Sequence, residues 1–305
     1  MRDIDKRVTK ILKDLGHPKP PLRLEIVREL LRLDLAYYSS SDQRVLTKTI
    51  HRLMVAGKQV FHRPGLLLDA VRKLELKALW IPDRKRILID KELPPVKQRW
   101  GEAHEIGHGI LPWHEAAMHG DRKQTLSPTC ELQIEAEANF TAGRLLFLQD
   151  RFTEELRGSP LTIDLVKTLG KAFGNTITST LWRAVEASDA PVFGLVSQHP
   201  KKPLVDEPIR YFIRSRTFLE QFDGVTPTQV FRGLQSFCRS SRGPLGTDEI
   251  VFSNSNGDPH VFLVECFFNS YEALRGYPIT ISLFSRYLKG INGFSVLGFK
   301  NLSMR

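Results

Sequence analysis

From Arg23 to Tyr37 the apolar residues Leu24, Ile26, Val27, Leu30, Leu31, Leu33 and Leu35 approximate one face of a helix, and Pro20-Pro21 stands before them as a start signal. A second helical stretch is predicted over 42–60. The turn signal His62-Arg63-Pro64-Gly65 follows, and an amphipathic piece then runs from Leu66 towards Leu76. There the period changes. Ala78-Leu79-Trp80-Ile81 and Arg86-Ile87-Leu88-Ile89-Asp90, separated by the polar Pro82-Asp83-Arg84-Lys85, read as a β-hairpin that Pro94-Pro95 closes. Helical spacing returns from about Gln98 to Leu111, where Pro112 stops it, and again from about Glu131 to Leu148 behind Ser127-Pro128-Thr129.

Further on, Ile163, Leu165, Val166, Leu169 and Phe173 precede Gly174-Asn175, and Leu181, Trp182 and Val185 follow it, so 162–187 reads as two short helices around a tight turn. Beyond Ala190-Pro191 the texture becomes β-rich. Glu249-Ile250-Val251-Phe252 and His260–Cys266 flank the turn-prone Ser253–Pro259 as a hairpin. The expected fold is α+β. It comprises a mostly helical domain with a small sheet over 1–157, a helix-turn-helix-like segment over 158–190 and an α+β carboxy-terminal domain over 191–305.

Composition bounds this reading without choosing a function. A hydrophobic share of 41% beside 26% charged residues argues against a wholly disordered chain. The longest apolar runs, such as Val261–Val264, are too short to span a bilayer, so no membrane segment is expected. The charged start Met1-Arg2-Asp3-Ile4-Asp5-Lys6 lacks a secretory pattern, which makes the cytoplasm the expected location. Cys130, Cys238 and Cys266 show no C-x-x-C spacing and are expected to be reduced and structural. A formal charge of +10 suits nucleic acid, an acidic protein or plain solubility. The basic residues are spread along the chain rather than gathered in one stripe, so direct DNA binding is not favoured.

Chemistry concentrates in Ala103-His104-Glu105-Ile106-Gly107-His108. This is an H-E-x-x-H pattern on a predicted helix, where a separation of four puts both imidazoles on one face within reach of one metal ion. Glu105 lies beside that face and is the candidate base. An exposed helix that merely carries two histidines is the competing reading; the preceding hairpin and the carboxylate-bearing helix that follows count against it.

Three residues compete for the third ligand position. His114 stands ten residues after His104, as in the long H-E-x-x-H-x-x-G-x-x-H motif, but Leu111 occupies the position where that motif needs a turning glycine. Glu135 opens Glu135-Ala136-Glu137-Ala138-Asn139 on the next helix, and two histidines with one glutamate form an established catalytic zinc set. Asn139 lies one turn beyond Glu135 on the same face, suitably placed to accept a hydrogen bond from a ligating histidine. Glu137 points about 200° away around the helix and is the alternative carboxylate.

The H-E-x-x-H segment together with Glu135-Ala136-Glu137-Ala138-Asn139-Phe140-Thr141-Ala142-Gly143-Arg144-Leu145-Leu146 resembles the ImmA/IrrE metallopeptidases, whose pattern continues E-x-E-A-N-x-F-A-x-x-L-L-M-P. The similarity covers about residues 78–148. It departs at Thr141, where the family has Phe, and at Phe147-Leu148, where it has Met-Pro. The resemblance implies a zincin-like metallopeptidase core, a Zn2+ ion and cleavage of a Cro/CI-type helix-turn-helix repressor in stress response or mobile-element regulation. On that reading His104, His108 and Glu135 hold the metal, Glu105 activates water, and the strand around Ile87–Asp90 takes substrate along its edge. His114 and His119 are candidates to assist at the oxyanion. A different function class also fits: a DNA-binding transcriptional regulator with a structural or sensory metal site, using Thr178, Ser179, Thr180 and Arg183 on a recognition helix. The packing character of Leu181, Trp182 and Val185 weighs against it.

Overall fold

A computed structural model of the chain describes residues 1–38, 78–81, 85–119, 128–201, 203, 206–237, 244–274 and 277–286. The helical stretches expected over 42–60 and 66–76, and most of the turn at 82–85, lie outside the described residues. The chain divides into two compact units, one of residues 1–157 with 169–176, the other of 158–168 with 177–305.

The first unit opens with α1 (Arg2–Asp14) and α2 (Leu24–Leu31). Ile4, Val8, Ile11 and Leu12 form the buried stripe of α1. The helix read from Arg23 to Tyr37 stops early, at Leu31. Arg32 turns left-handed at φ 55° and ψ 45°, and the Leu33 amide donates back to the Arg28 carbonyl at 2.8 Å, closing the helix end. The remaining Asp34–Tyr38 becomes strand β1. It pairs in parallel with β3 (Arg86–Asp90), which also pairs antiparallel with β2 (Ala78–Ile81) in the register Ala78↔Ile89 to Ile81↔Arg86. A partner some fifty positions downstream overrides the local helical period.

β3 is therefore the middle strand of the order β1-β3-β2. Its buried run Ile87-Leu88-Ile89-Asp90 fits that position, because a strand covered on both faces loses alternation. The expected role of Ile87–Asp90 as an edge that receives substrate fails for the same reason. Both of its hydrogen-bonding sides are taken.

Against this sheet lies α3 (Pro95–Ile110), with proline at its first turn, where a missing N–H costs nothing. It is followed by α4 (Pro112–His119), α5 (Pro128–Leu146) and α6 (Asp150–Leu156). Arg28 Nε donates to Glu102 Oε1 at 2.7 Å and ties α2 to α3. Arg144 on α5 meets Asp5 on α1 at 2.7 Å. α3 and α5 approach closely because Gly107 faces Ala138 and Thr141: a Cβ at 107 would stand 2.9 Å from the Ala138 carbonyl oxygen.

The boundary between the units falls within α7 (Ile163–Phe173). In the second unit α8 (Ile177–Glu186) packs on β4 (Val192–Ser197), where Gly194 leaves room for the Leu181 side chain. β5 (Ile209–Arg214), α9 (Arg216–Gln221), α10 (Pro227–Phe237), β6 (Pro244–Ser253), β7 (Pro259–Leu274) and β8 (Tyr277–Arg286) complete it. The antiparallel sheet runs β5-β4-β8-β7-β6. Its β6–β7 hairpin is the one legible in the sequence, turning through Gly257 at φ 89°. Phe193, Phe218, Phe222, Phe252, Phe262 and Phe284 dominate the core under α9 and α10. The architecture is α+β throughout. Among the described residues, no helix is long and apolar enough to cross a membrane.

Candidate metal centre

The two histidines of α3 point their Nε2 atoms at each other across 3.2 Å. Glu135 reaches in from α5, with one carboxylate oxygen 3.1 Å from His104 Nε2 and the other 3.5 Å from His108 Nε2. No other group of three or more histidines, cysteines or acidic residues among the described residues converges in this way. A tetrahedral ion with ligands at 2.0–2.1 Å requires donor atoms about 3.3–3.4 Å apart, close to the 3.2 Å between the two imidazole nitrogens and the 3.1 Å from His104 to the nearer Glu135 oxygen. Two neutral imidazoles and a carboxylate are also the donor chemistry of a catalytic zinc site.

Charge distribution in the protein alone suits this purpose. Burial drives the His108 imidazole well below its usual range, with His104 nearby adding to the effect, so His108 is neutral and its lone pair available. Burial also lowers His104, but the hydrogen bond and charge of Glu135, with the charge of Glu105, outweigh it and leave His104 raised. Glu135 is correspondingly lowered, chiefly by the hydrogen bond from His104. A cation binding here displaces the proton that pair shares.

Glu105, the next residue after His104 on α3, is buried. Burial pushes its carboxyl up to about 7, against the pull of His104, while the Trp80 backbone N–H donates to it. That bond shows which side of β2 faces Glu105. In an antiparallel pair a residue sends its N–H and C=O to the same side, so Trp80 turns both away from β3 and towards Glu105. Among the described residues, the sheet edge beside Glu105 is β2, not β3.

Outside the cluster each histidine has a different partner. His104 Nδ1 lies 3.1 Å from Asn139 Oδ1, while His108 Nδ1 lies 3.0 Å from His114 Nδ1. His114 therefore sits on the side of His108 opposite the cluster, and the long-motif geometry does not form. Glu137 is also turned away. It takes hydrogen bonds from Trp113 Nε1 at 2.6 Å and Gln133 Nε2 at 3.0 Å, and its Oε2 stands 3.0 Å from His114 Nε2. Burial raises the Glu137 carboxyl, but those donors prevail and hold it below the ordinary carboxylate value. The side chain of His119 lies outside the described residues.

Sequence reasoning missed the Trp80 amide, Gly107 and the Trp113–Glu137–His114 group. Only Gly107 left a signal, as a glycine inside a helix that costs about 1 kcal/mol relative to alanine unless close packing needs it. The departures from the family pattern fall where helices pack and end. Thr141 is buried beside Gly107 with its hydroxyl on the Glu137 carbonyl, and Phe147 follows the last residue of α5, its ring 4.8 Å from Phe152.

The residues proposed for DNA contact sit differently. Thr178 and Thr180 are buried and Arg183 is half-buried on α8, whose Trp182 ring stands edge-on to Tyr211 of β5.

Comparison with known proteins agrees with the site. Residues 62–184 match the Peptidase_M78 family model, described as the IrrE N-terminal-like domain, which covers the H-E-x-x-H segment and Glu135–Asn139. No curated protein matches the chain. Among solved structures, a Mycobacterium tuberculosis transcriptional regulator is similar in fold at a TM-score of 0.52 and 13% identity, covering 94% of this chain and 88% of that one.

Proposed function

We propose that the chain is a zinc-dependent endopeptidase in which His104, His108 and Glu135 hold the ion and Glu105 is the general base. The observation that carries this reading is the convergence of those three ligand side chains within 4.8 Å of one another, beside a buried carboxylate. Bound there, zinc supplies Lewis acidity that polarises a peptide carbonyl and acidifies water. Glu105 contributes the proton transfers. Its carboxylate oxygen accepts a proton from the attacking water and returns it to the departing amine. The Trp80 N–H restrains that carboxylate during the exchange.

Substrate would lie along β2 as an added strand, because β2 has its outer side turned towards Glu105. The family match supports a peptidase domain. A Cro/CI-type helix-turn-helix repressor is the target we propose for it, by analogy alone. The name of the structural neighbour, a transcriptional regulator, raises the other reading, that this chain binds DNA itself. Burial of Thr178 and Thr180 counts against it.

The test is incubation of the full chain with a helix-turn-helix repressor encoded in the same genome. We expect a discrete cut that needs zinc, is stopped by a chelator and disappears in Glu105→Gln. Salt-sensitive, sequence-selective DNA binding with no cleavage of any such repressor would favour the regulator instead. Metal analysis of His104→Ala and Glu135→Ala checks the ligands: both should lose the zinc that wild type retains.

A further inference from the structure

We propose that Glu137 and His114 are positioning residues that fix the tautomer and ring orientation of His108 through a two-step hydrogen-bond chain. This rests on the metal-centre reading above and assigns work to residues outside the ligand set. The logic is one of donors and acceptors. An ionised carboxylate can only accept, and Glu137 already accepts from Trp113 and Gln133. The His114 proton facing it must therefore sit on Nε2. That leaves His114 Nδ1 as a bare lone pair, which can be satisfied only by a proton on His108 Nδ1, 3.0 Å away. With that proton placed, His108 Nε2 is left as the lone pair facing His104 and Glu135. With Glu137 ionised and both imidazoles neutral, these tautomers follow from the network.

The arrangement differs from that of His104, whose outer nitrogen meets a single amide on the exposed Asn139. His114 is completely buried, and a buried imidazole must have both nitrogens satisfied. Carboxylate partners of metal-binding histidines are known to orient the ring and raise its basicity; here a second imidazole is inserted between the two. The sequence supplies this through Pro112, which begins a new helix and brings Trp113 and His114 back beneath α3.

The experiment uses the full chain, stripped of metal and titrated with Zn2+ against a competing chelator, with Co2+ as a spectroscopic substitute. His114→Phe keeps the ring volume but gives His108 no acceptor. Glu137→Ala releases the His114 tautomer. Each should weaken zinc binding about 10–100-fold and alter the visible absorption of the cobalt form. Glu137→Gln keeps an oxygen acceptor and should restore affinity to within about threefold of wild type, whereas Glu137→Met, similar in length but without that acceptor, should not, which tells the hydrogen bond from packing. Nitrogen-15 shifts of the zinc-loaded wild type should show His108 protonated at Nδ1 and His114 at Nε2; the opposite tautomer at His114 overturns the proposal without any variant. So does wild-type affinity with an unchanged cobalt spectrum in Glu137→Ala, which tests the chain even if His114→Phe does not fold. A wild-type chain that binds no stoichiometric metal would instead remove the metal-centre reading itself.

Discussion

The two compact units bury very different things. Around the junction of α3 and α5 the interior holds Glu105, His108, His114 and Thr141, with Gly107, Ala138 and Ala142 as small spacers. The core of the second unit is built from phenylalanines, with Phe193 stacked on Phe284 at 4.2 Å and Phe262 fully enclosed. Buried polar groups cost free energy unless every one is partnered, whereas buried rings stabilise by area and close packing. The first region spends stability on preorganised chemistry and the second accumulates it.

This contrast predicts a double dissociation. Glu105→Gln should reduce peptide cleavage about 10²–10⁴-fold while zinc content remains. Phe262→Ala should cost about 3–5 kcal/mol in denaturant unfolding and leave the zinc content of the folded chain unchanged. Loss of zinc in the second variant, or undiminished cleavage in the first, would break the division of labour.

A pH experiment sharpens it. The Glu105 carboxyl moves from 4.5 to about 7 on folding, so the folded metal-free chain binds a proton more tightly than the unfolded chain. Stability should then fall as pH rises through that window, by up to about 3 kcal/mol, with the loss complete above it. Glu105→Gln removes the ionisation. Between pH 4 and pH 8 the chelator-treated variant should gain on wild type by that amount in denaturant titrations, and parallel curves would refute the assignment.

Smaller effects separate two glycines on one helix. Gly107→Ala forces a Cβ against the Ala138 backbone and should cost about 1–3 kcal/mol together with some zinc affinity. At Gly109 the same Cβ would make ordinary contacts, 3.5 Å from Leu33 and Trp80, so Gly109→Ala should gain about 0.5–1 kcal/mol from helix propensity. Thermal unfolding and metal titration of the pair decide whether close approach or propensity governs each position.

The α+β architecture, the β2–β3 and β6–β7 hairpins and the helices bearing the site residues were legible because each is written in local periodicity and turn residues. The four-residue spacing also announced that His104 and His108 share a face. β1 was hidden, since Asp34–Tyr38 continues a helical pattern and becomes a strand only by pairing with β3. The stripe of α1 was available in Ile4, Val8, Ile11 and Leu12 but lay within a strongly charged segment. The approach of His114 to His108 had no local signature, because it depends on how α4 folds back under α3. The choice of β2 over β3 as the edge beside Glu105 likewise depends on strand order, which periodicity does not encode.

Gly107 also changes what the motif itself means. H-E-x-x-H is written with two unrestricted letters, yet in this chain the second is occupied by the one residue that lets α5 come near enough for Glu135 to reach the histidines. The pattern thus carries more information than its fixed letters suggest. A chain with the same histidines and glutamates but a bulkier residue at that position would satisfy the text of the motif while its helices stood too far apart to close the site.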